Sequence, residues 1–173
     1  MLLVTSCSRN LETPSDFSFG LNTKEVKIYF TKSKTPSDIV FVPITRKIPK
    51  EDTVVDGALR ELFLGPTKQE ELKGIMTEVP VGTRLIKVEE SEDEILIDVS
   101  SQYVTGGGSA TVQLRYLQLY KTLNNLEPDK KIYLQIDGKN IKAIGGEGLE
   151  ITQPLSKIND YTKKYDKVDG VQP

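Results

Sequence analysis

The hydrophobic period of this chain switches repeatedly between two residues and about 3.6, and that switching restricts the fold more than any other feature. From Lys24 to Thr31, Val26, Ile28 and Phe30 alternate with Lys27 and Tyr29, the pattern of a half-buried strand. Turn residues fill Ser33 to Asp38, and a second apolar run, Ile39 to Ile44, carries Pro43 inside it. A proline removes one ladder donor, so this run is expected at a sheet edge, antiparallel to the first. From Asp52 the spacing turns helical, with Val54, Val55, Ala58, Leu59, Leu62 and Phe63 on one face. Glu51 and Asp52 stand at its positive start and Gly65-Pro66 closes it. Thr67-Lys68-Gln69-Glu70 has the form of a capping box for a second, short helix that ends at Gly74.

Downstream, the segments Thr83 to Glu90 and Glu94 to Val99 form a hairpin around Ser91-Glu92-Asp93 and bury Leu85 or Ile86, Val88, Ile95, Ile97 and Val99. The longest helix follows Gly106-Gly107-Gly108, with Ser109 as N-cap and Val112, Tyr116, Leu119, Tyr120, Leu123 and Leu126 as its core stripe. Lys131 to Asp137 alternates again, and the turn pair Asp137-Gly138 leads into a short strand between Ile141 and Ile144. The order β-β-α-α-β-β-α-β-β predicts an α+β domain, a mixed or antiparallel sheet of about five to six strands with its helices on one face. That domain runs from 24 to 158. Residues 8–23 read as a flexible tether and 159–173 as a polar tail.

Composition removes most catalytic chemistry: the chain has no histidine, one cysteine and no tryptophan. Imidazole general bases, Ser-His and Cys-His nucleophiles and Cys/His zinc sites are therefore out of reach. No cofactor and no metal site is expected. A net charge of −2 and a pI near 5.4 argue against a nucleic-acid partner. Among the remaining polar features, Asp98 is expected to face solvent along its strand and Asp137 to open a turn, which leaves them poorly suited to glycoside hydrolysis. The run Glu89 to Glu94 lacks the spacing of an EF-hand loop. The glycine triplet lacks the pattern of a phosphate-binding loop and reads as a connector.

The lone cysteine lies in Val4-Thr5-Ser6-Cys7, which resembles a bacterial lipobox: an apolar residue three before the cysteine and two small residues between. That resemblance implies lipid attachment at Cys7 and an extracytoplasmic, membrane-anchored address, with residues 1–7 the remnant of a longer export signal.

From Val26 to Leu155 the chain also resembles the GerMN domain family of sporulation and spore germination proteins. The matching motifs are Val26-Lys27-Ile28-Tyr29-Phe30, then Ala58 to Leu62 leading into Leu64-Gly65-Pro66-Thr67, then Val79-Pro80-Val81-Gly82-Thr83-Arg84-Leu85. Ile97 to Ser101, Leu119 to Leu123, Ile136 to Lys139 and Leu149 to Leu155 follow in order. The resemblance implies a non-enzymatic domain on exported, often lipid-anchored bacterial proteins, similar in architecture to ring-building modules.

One helix face remains. Ala110, Leu114 and Leu117 fall nearly opposite the core stripe of the long helix, flanked by Arg115, Gln118 and Lys121. Either the first helix or the tether covers them, or they form the centre of a docking surface with a polar rim. The chain as a whole reads as an assembly module that self-associates or docks on partner proteins. A binding module for cell-wall glycan or another envelope ligand is the alternative, and a carboxylate-dependent wall hydrolase the distant third.

Overall fold

The computed structural model describes residues 22–35, 38–144 and 149–155. Cys7, the tether before Asn22 and the tail 159–173 lie outside them.

The first two strands are β1 (Thr23–Thr35) and β2 (Asp38–Pro49), a long antiparallel ribbon in register from Thr23 opposite Pro49 to Ser33 opposite Ile39. Tyr29 turns its N–H away from β2, onto the Thr122 hydroxyl at 3.0 Å. Its cross-strand partner Pro43 therefore has its ring nitrogen on the outer edge, where no ladder bond is lost. The sequence expectation of an edge strand holds for that reason. β1 is flanked on its other side by the two-residue strand β3 (Ile75–Met76).

The second sheet has the order β4-β5-β6-β7, from β4 (Leu85–Glu90), β5 (Glu94–Val99), β6 (Lys131–Ile136) and β7 (Lys139–Asn140). It is mixed: β4 and β7 pair antiparallel, whereas β5 and β6 run parallel. A parallel pair needs a crossover, and α3 (Ser109–Leu126) supplies it. β8 (Ala143–Ile144) and β9 (Leu149–Glu150) form a small third ladder. The domain is α+β as the sequence predicts, with its strands divided among separate sheets. Local patterning identifies strands but does not name their partners.

α1 (Val54–Leu64) is capped by the Thr53 hydroxyl and packs on β1 and β2 of one sheet and β4 of the other. Ile48 lies so close to Gly57 that a Cβ there would meet its Cδ1 at 2.6 Å. α2 (Lys68–Leu72) has both bonds of the expected capping box, Glu70 N–H to the Thr67 hydroxyl and Thr67 N–H to the Glu70 carboxylate. The N-cap of α3 is Gly108, one residue before the expected Ser109.

α3 packs on β1, α1 and β9 within a core that residues of both sheets share, and every residue from Val112 to Tyr120 is buried. A helix on one face of a single sheet would have shown solvent one side. This corrects the docking surface expected there. Leu114 (2% exposed) and Leu117 (0%) sit in the core, as do Arg115 and Gln118. Ala110 is exposed, and Lys121 is half-buried with its ammonium 5.3 Å from the Phe41 ring centroid. Burying a leucine contributes about 1.5–3 kcal/mol, so charges at Leu114 and Leu117 would unfold the domain before testing any association.

Candidate functional site

The buried polar residues of α3 hold one loop cluster. Arg115 donates to three carbonyls: Glu78 O at 2.8 Å, Tyr103 O at 2.7 Å and Gly106 O at 3.1 Å. Gln118 clamps the same loop, accepting from Glu78 N–H at 3.0 Å and donating to the Thr77 hydroxyl at 2.9 Å. Burial lowers the Arg115 pKa, opposed by Tyr103 and Glu78, and burial also raises Glu78, opposed by Arg115. The Tyr103 phenol is pushed far above its ordinary range, again by burial.

This node explains the glycine triplet. Gly106 and Gly107 both have positive φ, and a Cβ on Gly107 would stand 2.6 Å from the Thr111 methyl and 3.4 Å from an Arg115 nitrogen. The backbone folds over the guanidinium, which makes the triplet a packing device instead of a loose connector. Asp98 and Asp137 also serve the backbone. Asp98 is buried and accepts from Gly138 N–H at 2.9 Å, which corrects the expectation that it faces solvent. Asp137 occupies a left-handed turn position and accepts from Ser101 N–H at 3.3 Å.

Two surface features are left, and sequence reasoning assigned a role to neither. The first is apolar. Five large apolar residues are exposed among the described residues, and Leu64 (78%), Leu72 (88%), Met76 (41%) and Val81 (94%) all fall between the end of α1 and the start of β4. Gly65 lies beside Thr77 and α2 packs on β3, so the segment folds back on itself and gathers Leu64, Leu72 and Met76 at one pole. Val81 stands on the turn that follows. Single exposed apolar residues are ordinary, whereas four within one short segment are not.

The second feature is a hollow of about 330 Å³ on the outer face of the four-stranded sheet, lined by Glu89, Glu90, Ser91, Glu94, Leu96, Tyr133 and Asn140. Register places Glu89, Leu96 and Tyr133 in one row across β4, β5 and β6. Leu96 and Tyr133 are half-buried and form the floor; the Tyr133 hydroxyl reaches Glu94 at 3.4 Å. Among the described residues no group of three or more His, Cys, Asp or Glu could hold a metal ion, and no helix is long and apolar enough to cross a membrane.

The sequence from 27 to 142 matches the Germane family, described as sporulation and spore germination. Among the solved structures that resemble the fold are two of one protein. The tandem GerMN domains of the sporulation protein GerM from Bacillus subtilis superpose with a TM-score of 0.59 at 17% identity, covering 91% of this chain and 50% of that one. The first GerMN domain of the same protein gives 0.62 at 20% identity, covering 78% of this chain and 98% of that one. This chain thus spans half the length of the tandem structure, and at these identities the likeness is one of fold. No curated protein matches the chain.

Proposed function

The chain belongs to the Germane family of sporulation and spore germination domains, and on that premise we propose that it is a non-enzymatic assembly module held at the outer surface of a bacterial membrane. The observation that carries the reading is the exposed apolar group Leu64, Leu72, Met76 and Val81. A domain that works alone gains nothing by leaving these residues in water, and each is covered at little cost by a partner. Two carboxylates that sequence alone could offer to catalysis, Asp98 and Asp137, are engaged with backbone N–H groups, which supports a non-catalytic role.

Attachment through Cys7 rests on the Val4-Thr5-Ser6-Cys7 motif. The chain enters the domain at Asn22, and Thr31, which pairs with Met76, lies nine residues along β1, roughly 30 Å away at ~3.3 Å per residue. The apolar pole thus lies far along β1 from the point of entry, which supports a contact with a protein over one with the anchoring lipid. A glycan-binding reading draws on the single aromatic floor residue Tyr133 and its carboxylate rim; it predicts that soluble cell-wall fragments protect Tyr133 from labelling.

The test uses membranes from cells that express the protein behind a complete export signal. Wild type is expected in the membrane fraction, Cys7→Ser in the soluble one. The triple variant Leu64→Glu/Met76→Glu/Val81→Glu stays on the membrane and leaves the high-mass complex seen after mild detergent extraction. A triple variant that remains in the complex, still folded, overturns the assembly reading.

A further inference from the structure

We propose that the hollow on the outer sheet face receives the α2 end of a second copy of this chain, so that copies associate head to tail. The inference rests on the assembly reading above and names the partner. The two surfaces are complementary in both apolarity and charge. At the end of α2, Leu72 projects 88% exposed. Lysines flank it along the chain: Lys68, one helical turn before it and with its side chain 94% exposed, and Lys73, the next residue, also exposed. The hollow offers the converse, an apolar floor of Leu96 and Tyr133 inside a rim of Glu89, Glu90 and Glu94.

Charge around the hollow is negative on balance, with Lys131 in register beside Glu94 as a third lysine besides Lys87 and Lys130. Between Lys87 and Glu94 the chain has a single cation and five acids. Lys87 meets Glu89, and Lys130 reaches Glu90 at 3.6 Å, yet Glu92, Asp93 and Glu94 still leave the tip of the β4–β5 hairpin negative. An incoming lysine pair therefore finds acceptors at the rim while Leu72 reaches the floor, the arrangement of an apolar centre with a polar border. The site is on the small side for a ligand pocket, of the order that one or two side chains fill. Lys68 also meets Glu71 at 3.4 Å, an exposed pair that a stronger acceptor displaces readily.

A molecule cannot make this contact with itself. α2 lies on β3 of the first sheet, and the second sheet turns Ile95, Ile97, Ile132 and Leu134 to the core, so its outer face looks away from the helices. Two different surfaces then meet, which makes the interface heterologous. Repetition closes a ring or extends a filament, according to the rotation per copy.

The experiment measures mass by light scattering over a wide concentration range on the full chain carrying Cys7→Ser. The wild-type sequence is expected to associate, and to return to monomer at high salt as the charge component is screened. Lys68→Glu/Lys73→Glu and Glu89→Lys/Glu94→Lys should each weaken association about tenfold or more, since each leaves like charges at the contact. Mixed in equal amounts they should associate again, because each knob then meets a hollow of opposite charge. All four substitutions are at exposed residues, so both variants should melt like the parent, which circular dichroism checks. Leu72→Asp should be monomeric at any salt. A wild-type chain that stays monomeric, charge variants that associate undiminished, or a mixture that fails to recover would each overturn head-to-tail docking. Should the wild type be monomeric while the triple variant of the preceding section still loses its complex, self-docking falls and the assembly reading stands.

Discussion

The middle of α3 and the segment from Leu64 to Val81 invert the usual placement of side chains in opposite directions. α3 buries Arg115 and Gln118, residues that normally face water, and the 64–81 segment exposes leucine, methionine and valine. Arg115 and Gln118 have partners within the chain, three carbonyls for Arg115 and Thr77 and Glu78 for Gln118, whereas Gln113 Oε1 on the same helix is buried without one. The exposed apolar groups have nothing comparable among the described residues. One inversion is satisfied internally and builds the fold, whereas the other awaits something external. The two regions also touch, since the loop that Arg115 and Gln118 clamp is the one that leads from Met76 to Val81. A rigid node therefore positions the exposed surface.

The comparison predicts unequal responses to mutation. The largest should come from Arg115→Met, which takes the donor from three carbonyls, Tyr103 O buried and Glu78 O and Gly106 O partly buried. At about 1–3 kcal/mol for each unsatisfied group, softened by relaxation, the loss is about 3–5 kcal/mol in urea unfolding. A loss under about 1 kcal/mol would show that the node is dispensable and break the contrast.

Next is the glycine triplet, where the three positions should differ. Gly107→Ala combines positive φ with a collision at Thr111 and should cost about 2–3 kcal/mol. Gly106→Ala, strained but open, should cost about 1 kcal/mol, and Gly108→Ala, with ordinary φ and open space, close to nothing. Equal effects at all three would favour a plain flexible connector.

Smaller than the Arg115 and Gly107 effects is a pH dependence at the rim of the apolar segment. Glu70 receives two hydrogen bonds from Arg46 at 2.6 Å, and this pairing holds its carboxyl down at about 2. A carboxyl whose folded pKa lies below its unfolded value of about 4.3 stabilises above that value. The contribution is lost as pH falls from about 4 towards 2. Glu70→Gln should be less stable than wild type by about 1–2 kcal/mol at neutral pH, with the gap closing across that window in acid denaturation. A gap independent of pH would remove the ion pair from the account.

Elements with a strong local signal were legible in the sequence. The alternation of Val26, Ile28 and Phe30, the Thr67–Glu70 capping box, Pro43 on an edge and the Asp137-Gly138 turn all describe interactions within a few residues of themselves. The sheet partition was not legible, because β3 is only two residues long and carries no period. That gap propagated to α3. With a single sheet assumed, Leu114 and Leu117 fell on the side away from it, to be covered by the first helix or the tether or to form a docking surface; in the fold they lie in the core, and α1 packs on α3. Arg115 could not be read as buried, since its three acceptors come from loops nine to thirty-seven residues away. The exposed group was not legible for the opposite reason: Leu64 and Leu72 look like ordinary ends of amphipathic helices until the fold shows that no described residue covers them.

Covalent footprinting with a photogenerated carbene, applied to the protein in its native membrane and to the isolated chain, tests this contrast most directly. In isolation, Leu64, Leu72, Met76 and Val81 should label heavily while Tyr103, Leu114 and Leu117 label little. In the membrane the four exposed residues should become protected, with the buried three unchanged. Equal labelling of the four in both settings, with the protein intact and membrane-bound, would contradict the claim that this surface is kept apolar for a partner.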